Sequence, residues 1–129
     1  MDLGILLSDI NWVAVVVGAV VAFIAGAVWY SQKMFGAKWM LGVGLSPDVK
    51  GTSTRAMIAQ AVGTFLLALV IGVTEKTDDL FLAILIILTV AILIKAGGLF
   101  TNKSKYAIWV ESGFVIVMGA LMILAHVIF

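Results

Sequence analysis

From Trp12 to Tyr30 the chain passes through an apolar run that contains no charged residue. At about 1.5 Å per residue, a helix over this run reaches roughly 28 Å, close to the thickness of a bilayer's hydrocarbon core. Within it, Ala14, Gly18, Ala22 and Gly26 recur at every fourth position. On a helix they form one ridge of small residues, and a neighbouring helix can pack close against it because no long side chain holds the backbones apart. The run closes on Trp29 and Tyr30, residue types that settle at headgroup depth. Such a stretch is built to cross a membrane.

The rest of the chain is of the same kind. Of its 129 residues, 64% are hydrophobic and 12% charged, and the mean hydropathy is +1.23. A soluble domain carries about 25% charged residues, so this chain could not cover a globule with polar surface. Its net charge of +1 gives no overall pull on nucleic acid. The absence of Cys removes disulfide and thiol chemistry. A single His with few carboxylates argues against a zinc site, and no cofactor is expected. Ala25-Gly26-Ala27 imitates a leader cleavage site, yet the residues before Trp12 include Asp2 and Asp9 and no Lys or Arg. A secretory leader wants a basic start and a shorter apolar core, so the first span is expected to be retained.

Taken in order, residues 1–11 form a lead-in, with Ser8 or Asp9 available to cap the first helix. The first span is 12–30. The linker after it begins with Lys33, Phe35, Lys38 and Trp39, a basic and aromatic mixture suited to a short interfacial helix. It ends in GVGLSPDVKGTST, rich in turn formers. A second span covers 55–73, with small pairs at Ala59/Gly63 and Ala68/Gly72. After the turn TEKTDD, where Thr77 can cap the next helix, the third span covers 80–100 and the fourth 107–128. Trp12, Trp29, Tyr30, Phe35 and Trp39 are the expected interfacial anchors. The fold class expected is all-α, a single integral-membrane domain over 1–129: a four-helix transmembrane bundle with an interfacial segment after its first span.

Orientation follows from the linkers. Seven of the eight Lys and Arg residues fall in the first and third linkers with their flanks, whereas the second linker has only Lys76 among Glu75, Asp78 and Asp79. The positive-inside rule then puts the first and third linkers in the cytoplasm and both termini outside.

Ionisable and amide side chains inside spans are the functional candidates, because burying them in lipid is costly. By depth, Tyr30, Gln60, Lys95 and Glu111 fall at one level near the cytoplasmic face, one from each span. If they converge, Glu111 is the bundle's acid and Lys95 its natural partner. The ordinary alternative is that Lys95 snorkels to the headgroups and Glu111 stays hydrated at the interface. His126 lies at the opposite end of the last span, where a partly hydrated imidazole is expected.

The run NWVAVVVGAVVAFIAGAVWYSQKMFGAKWM resembles the opening signature of a bacterial membrane family catalogued as domain of unknown function 1761. The residues that carry the likeness are Asn11, Trp12, Trp29, Tyr30, Ser31, Phe35, Gly36 and Trp39, with Leu99-Phe100 and Glu111-Ser112-Gly113-Phe114 nearer the other end. Gln32 departs from it, standing where a proline commonly follows Trp-Tyr-Ser; without the proline, the first helix is free to bend less sharply or to continue along the surface. The resemblance implies a small four-span protein of the bacterial inner membrane and brings no activity with it.

The function expected is therefore non-enzymatic, structural or accessory, with the lipid bilayer as first partner and a homo-oligomer or another membrane protein as candidate associates. The alternative is a small transporter or channel with Glu111 as its titratable or substrate-facing group. No acid, base and nucleophile set supports an enzyme.

Overall fold

The computed structural model describes residues 2–46 and 53–129 as six helices. A short α1 (Leu3–Leu7) precedes the spans α2 (Trp12–Trp29), α4 (Thr54–Lys76), α5 (Leu80–Phe100) and α6 (Lys105–Ile128), and α3 (Gly36–Gly42) follows α2. The four spans are long and apolar enough to cross a membrane, and no strand occurs among the described residues. Lys50 and Asp48, counted in the linker charge, lie outside them.

Helix ends are set by side chains, and several differ from expectation. Asn11, not Ser8 or Asp9, caps α2, its Oδ1 accepting from the Ala14 N–H at 3.2 Å. Asp79, not Thr77, caps α5 by accepting from the Leu82 N–H at 3.0 Å. The reason lies one residue earlier, where Asp78 adopts φ 53° and ends α4, leaving the next residue free to serve the following helix. Asn102 (φ 57°) closes α5 in the same way. Although no proline follows Ser31, α2 still stops at Trp29.

α6 is the centre of the bundle. Half of its apolar window is buried, against about a fifth of each other span's, and α2, α3, α4 and α5 all pack on it. Glycine notches make this close approach possible. A Cβ on Gly18 would stand 3.2 Å from the Met122 Cα, so the ridge of Ala14, Gly18, Ala22 and Gly26 lies against α6. Gly119 of α6 receives the Ile87 side chain of α5, and Gly98 of α5 receives Ile108 of α6. Gly72 of α4 in turn receives Val15 of α2, whose Cγ2 would be 2.6 Å from an added Cβ. Each pair thus meets as a knob in a notch, which is how helices gain contact where lipid offers them no hydrophobic drive to associate.

At the far end from α3, Lys76 ties down α1. Its Nζ donates to the carbonyls of Ile5, Leu6 and Ser8 at 2.8, 2.7 and 2.8 Å. An ammonium at a helix C-terminus satisfies orphan carbonyls and meets the negative end of the dipole. The sequence reading missed this helix, whose signal is the Asp2 cap, accepting from the Ile5 N–H at 2.8 Å, ahead of an apolar run.

Two predictions follow from this packing and tying. Gly119→Ala places a Cβ on the Ile87 side chain and is expected to cost about 2–3 kcal/mol of unfolding free energy in micelles. Gly63→Ala, where a Cβ meets nothing within 4 Å, is expected to be neutral or to gain up to about 1 kcal/mol; equal effects would refute the notch account. Lys76→Met should speed amide exchange across Leu3–Leu7 by about tenfold or more, as expected for losing charged hydrogen bonds.

Candidate functional site

The chain's polar and aromatic side chains gather at the end of the bundle that carries α3. After α2, the Ser31 hydroxyl donates to the Val28 carbonyl at 2.7 Å, and the Gly36 N–H returns to the Ser31 carbonyl at 2.9 Å. This tight turn throws α3 back over the bundle's end. Gly36 is required there because its α-carbon lies directly against the Tyr30 carbonyl. At the other end of α3, Gly42 sits against Ser104 and Ala107, and its carbonyl accepts from the Ser104 N–H at 3.0 Å. α3 is thereby pinned at both ends, against α2 and against the start of α6.

Pinned in this way, α3 presents Trp39 to Glu111. The indole N–H donates to Glu111 Oε2 at 2.9 Å. Lys103, from the turn between α5 and α6, donates to Oε1 at 2.9 Å and to Oε2 at 3.1 Å. The Asn102 turn supports this placement, since the Lys103 N–H closes on the Gly98 carbonyl at 3.0 Å. Glu111's side chain is 15% exposed and that of Lys103 31%. The carboxylate therefore holds three hydrogen bonds from two donors in a largely desolvated place, where such bonds are stronger than in water.

Aromatic rings pack around this clasp. Tyr30 meets Trp39 edge-on at 4.9 Å and Phe114 at 5.5 Å. Trp29 packs on Phe35 at 4.6 Å, and its indole N–H donates to the Val110 carbonyl at 3.0 Å. Lys38 stands 4.5 Å over the Tyr106 ring, a cation–π contact. Trp29, Tyr30, Phe35 and Trp39, the expected interfacial anchors, are half-buried on one another and on α6. The two indole N–H groups find acceptors on α6 itself, so the linker folds inward. Trp12 alone of the expected anchors is exposed, at 44%.

The expected cluster of four assembles only in part. Tyr30 and Glu111 come together through Trp39, but Lys95 does not pair with Glu111. Lys95 is exposed, with Nζ 5.5 Å over the ring of Trp109, itself 70% exposed. Lys103 takes its place because the turn folds that residue back over the start of α6, two turns from Glu111. Gln60 also stands apart. Its amide donates to Thr64 Oγ1 at 3.3 Å and reaches the Met118 sulfur at 3.9 Å. At the opposite end, both imidazole nitrogens of His126 are buried and without a hydrogen-bond partner among the described residues. They border a cavity of about 10 Å³, the room of a single water.

Residues 13–128 match the family model described as "Protein of unknown function (DUF1761)". The chain belongs to this family. No curated protein and no solved structure matches it. In this DUF1761 protein, several of the residues that carry the family likeness are neighbours in space. Trp29, Tyr30, Phe35, Gly36 and Trp39 close over Glu111 and Phe114, while Asn11 caps the helix that brings them there. What the arrangement can do chemically is hold a carboxylate: an ammonium and an indole fix it, and no group of three His, Cys, Asp or Glu that could bind a metal occurs among the described residues.

A double-mutant cycle tests the clasp. Glu111→Gln combined with Lys103→Met, or with Trp39→Phe, should show a coupling of about 1 kcal/mol in unfolding free energy. Glu111→Gln with Lys95→Met should be additive, and a coupling there would restore the Lys95 pairing.

Proposed function

We propose that this protein is a non-enzymatic, structural or accessory component of the bacterial inner membrane, with the α3 end in the cytoplasm. The observation that carries this reading is the saturation of Glu111: both carboxylate oxygens are engaged by Lys103 and Trp39. A transport or gating carboxylate has to release its partners and meet water or substrate during the cycle. This one closes a helix, a turn and a span onto one another, and its loss leaves a half-buried ammonium and indole unpaired. The orientation is supported by the basic linkers at that end and the acidic turn at the other. The lipid bilayer is the protein's medium, and assembly with a second copy or another membrane protein goes through surfaces other than the clasp.

Proteoliposomes carrying the purified protein under an imposed pH gradient decide the matter. The wild type should dissipate the gradient no faster than empty vesicles. Glu111→Gln should leave that rate unchanged while lowering the thermal midpoint of unfolding. A proton or cation flux in the wild type that Glu111→Gln abolishes without loss of stability would establish the transporter reading instead.

A further inference from the structure

The end of the bundle that carries α1 holds an ionisable side chain that the clasp does not use. His126 is the chain's single histidine, and it sits in the last turn of α6. Both of its ring nitrogens are buried without a hydrogen-bond partner among the described residues. A neutral imidazole presents one N–H and one lone pair, and an imidazolium presents two N–H groups. Burying such a ring with neither need met is costly. The ring is also held in place. It packs on α4, where a Cβ on Gly72 would stand 3.8 Å from its Cε1, and it borders Leu80 and Ala83 of α5.

Two carboxylates share the ring's cavity. Its volume is about 10 Å³, and Thr74, Glu75 and Asp79 line it together with His126. Asp79 is engaged as the cap of α5, accepting from the Leu82 N–H at 3.0 Å. The Thr74 hydroxyl donates to the Ile71 carbonyl at 2.7 Å, so it faces the cavity as an acceptor. Glu75 has no such duty: its side chain is exposed, and it stands near enough for its charge to act on the imidazole. The other charges at this end are placed elsewhere. Lys76 donates to the carbonyls of α1, and Asp2 caps that helix. Asp9 and Asp78 lie at exposed turn positions off the cavity, and α2 has no charged residue between Trp12 and Trp29.

We propose that His126 and Glu75 form a proton-binding site at the α1 end of the bundle, in which the ring takes one proton from the solvent and the Glu75 carboxylate becomes its counter-ion. The exposed position of Glu75 gives the proton a way in, and the cavity that the two share has the room of one bridging water. Uptake turns a ring without partners into a charged donor beside a carboxylate, and hydrogen bonds between charged groups are the stronger ones. Glu75 lies in the last turn of α4, so the bound proton draws the α4–α5 turn onto the end of α6. The site is independent of the Glu111 clasp, which lies at the opposite end.

A chain with a single histidine makes the test direct. The whole protein in micelles, labelled with isotopic histidine, gives one imidazole signal whose charged fraction is read by nuclear magnetic resonance over a pH series. The wild type should take up one proton in a single step between about pH 8 and about pH 4. Glu75→Gln, at an exposed position, should lower the ratio of charged to neutral ring at a given pH by about tenfold or more. Asp79→Asn, which keeps a cap on α5, should lower it by less, and Glu111→Gln should leave it unchanged. The amide signals of residues 74–82 should move with the same step in the wild type and not in Glu75→Gln. A ring that stays neutral throughout the series is closed to protons and would overturn the proposal. So would a titration that Glu75→Gln leaves unchanged, which marks a ring titrating on its own, or one that Asp79→Asn alters more than Glu75→Gln does.

Discussion

Helices in a bilayer gain nothing from leaving lipid for one another on hydrophobic grounds, because the tails around them are as apolar as their own side chains. What remains is contact, and contact depends on how near two backbones come. In this protein that distance is set by glycines facing bulky partners, with α6 at the centre. Gly18 admits the Met122 backbone, Gly119 admits Ile87, and Gly98 admits Ile108. The core this produces is one of small residues, with Ala14, Ala22, Ala83 and Ala91 almost wholly buried beside a few larger ones such as Ile71 and Met122. Everything else in the fold, including the site at the α3 end, is hung on that axis.

The clasp then solves a problem that the axis creates. A carboxylate on the most buried helix is expensive in lipid, and Glu111 sits just under two turns in from the start of α6. Two features meet the cost: Lys103, supplied by the turn that begins the helix, and Trp39, supplied by α3. Because α3 is held by backbone contacts at Gly36 and Gly42, the indole arrives in a fixed position rather than by search, so little side-chain entropy is lost in forming the bond. Specificity is gained as well, since the charge can be satisfied only when the linker is folded in. A registry role for a buried ion pair is the best attested use of such pairs, and it fits a protein whose spans are otherwise uniformly apolar.

The parts of this arrangement legible in the sequence are those that depend on local pattern. An uncharged run of membrane length reads as a span wherever it sits, and the four-residue spacing of Ala14, Gly18, Ala22 and Gly26 defines a ridge before any neighbour is known. Charge counts in the linkers separate the two ends. Depth alone left the partner of Glu111 open between Lys95 and another cation. Placing Lys95 level with Glu111 ignored which way each side chain leaves its helix, and the true partner lay in a turn whose course depends on the left-handed conformation of Asn102. The aromatic linker was ambiguous for a related reason. Tyr, Trp and Lys in a row suit a membrane surface and suit equally a lid over buried acceptors, and only the notch at Gly36 distinguishes the two. Lys76 carried no pattern at all, since its partners are backbone carbonyls.

The two ends of the molecule differ in how tightly they are closed, and the difference has one cause. At the α1 end α4 turns sharply into α5, Asp79 caps α5 at once, and Lys76 fastens α1 across the gap, so α4 is held from three directions. At the α3 end α4 begins at Thr54, and the described residues from there to Gly63 are exposed. It touches the axis through Thr64 and Gln60 on Met118 alone among the described polar contacts, and above them it is exposed on every side. The span is thus packed closely at one end and leaves an apolar crevice against α2 at the other.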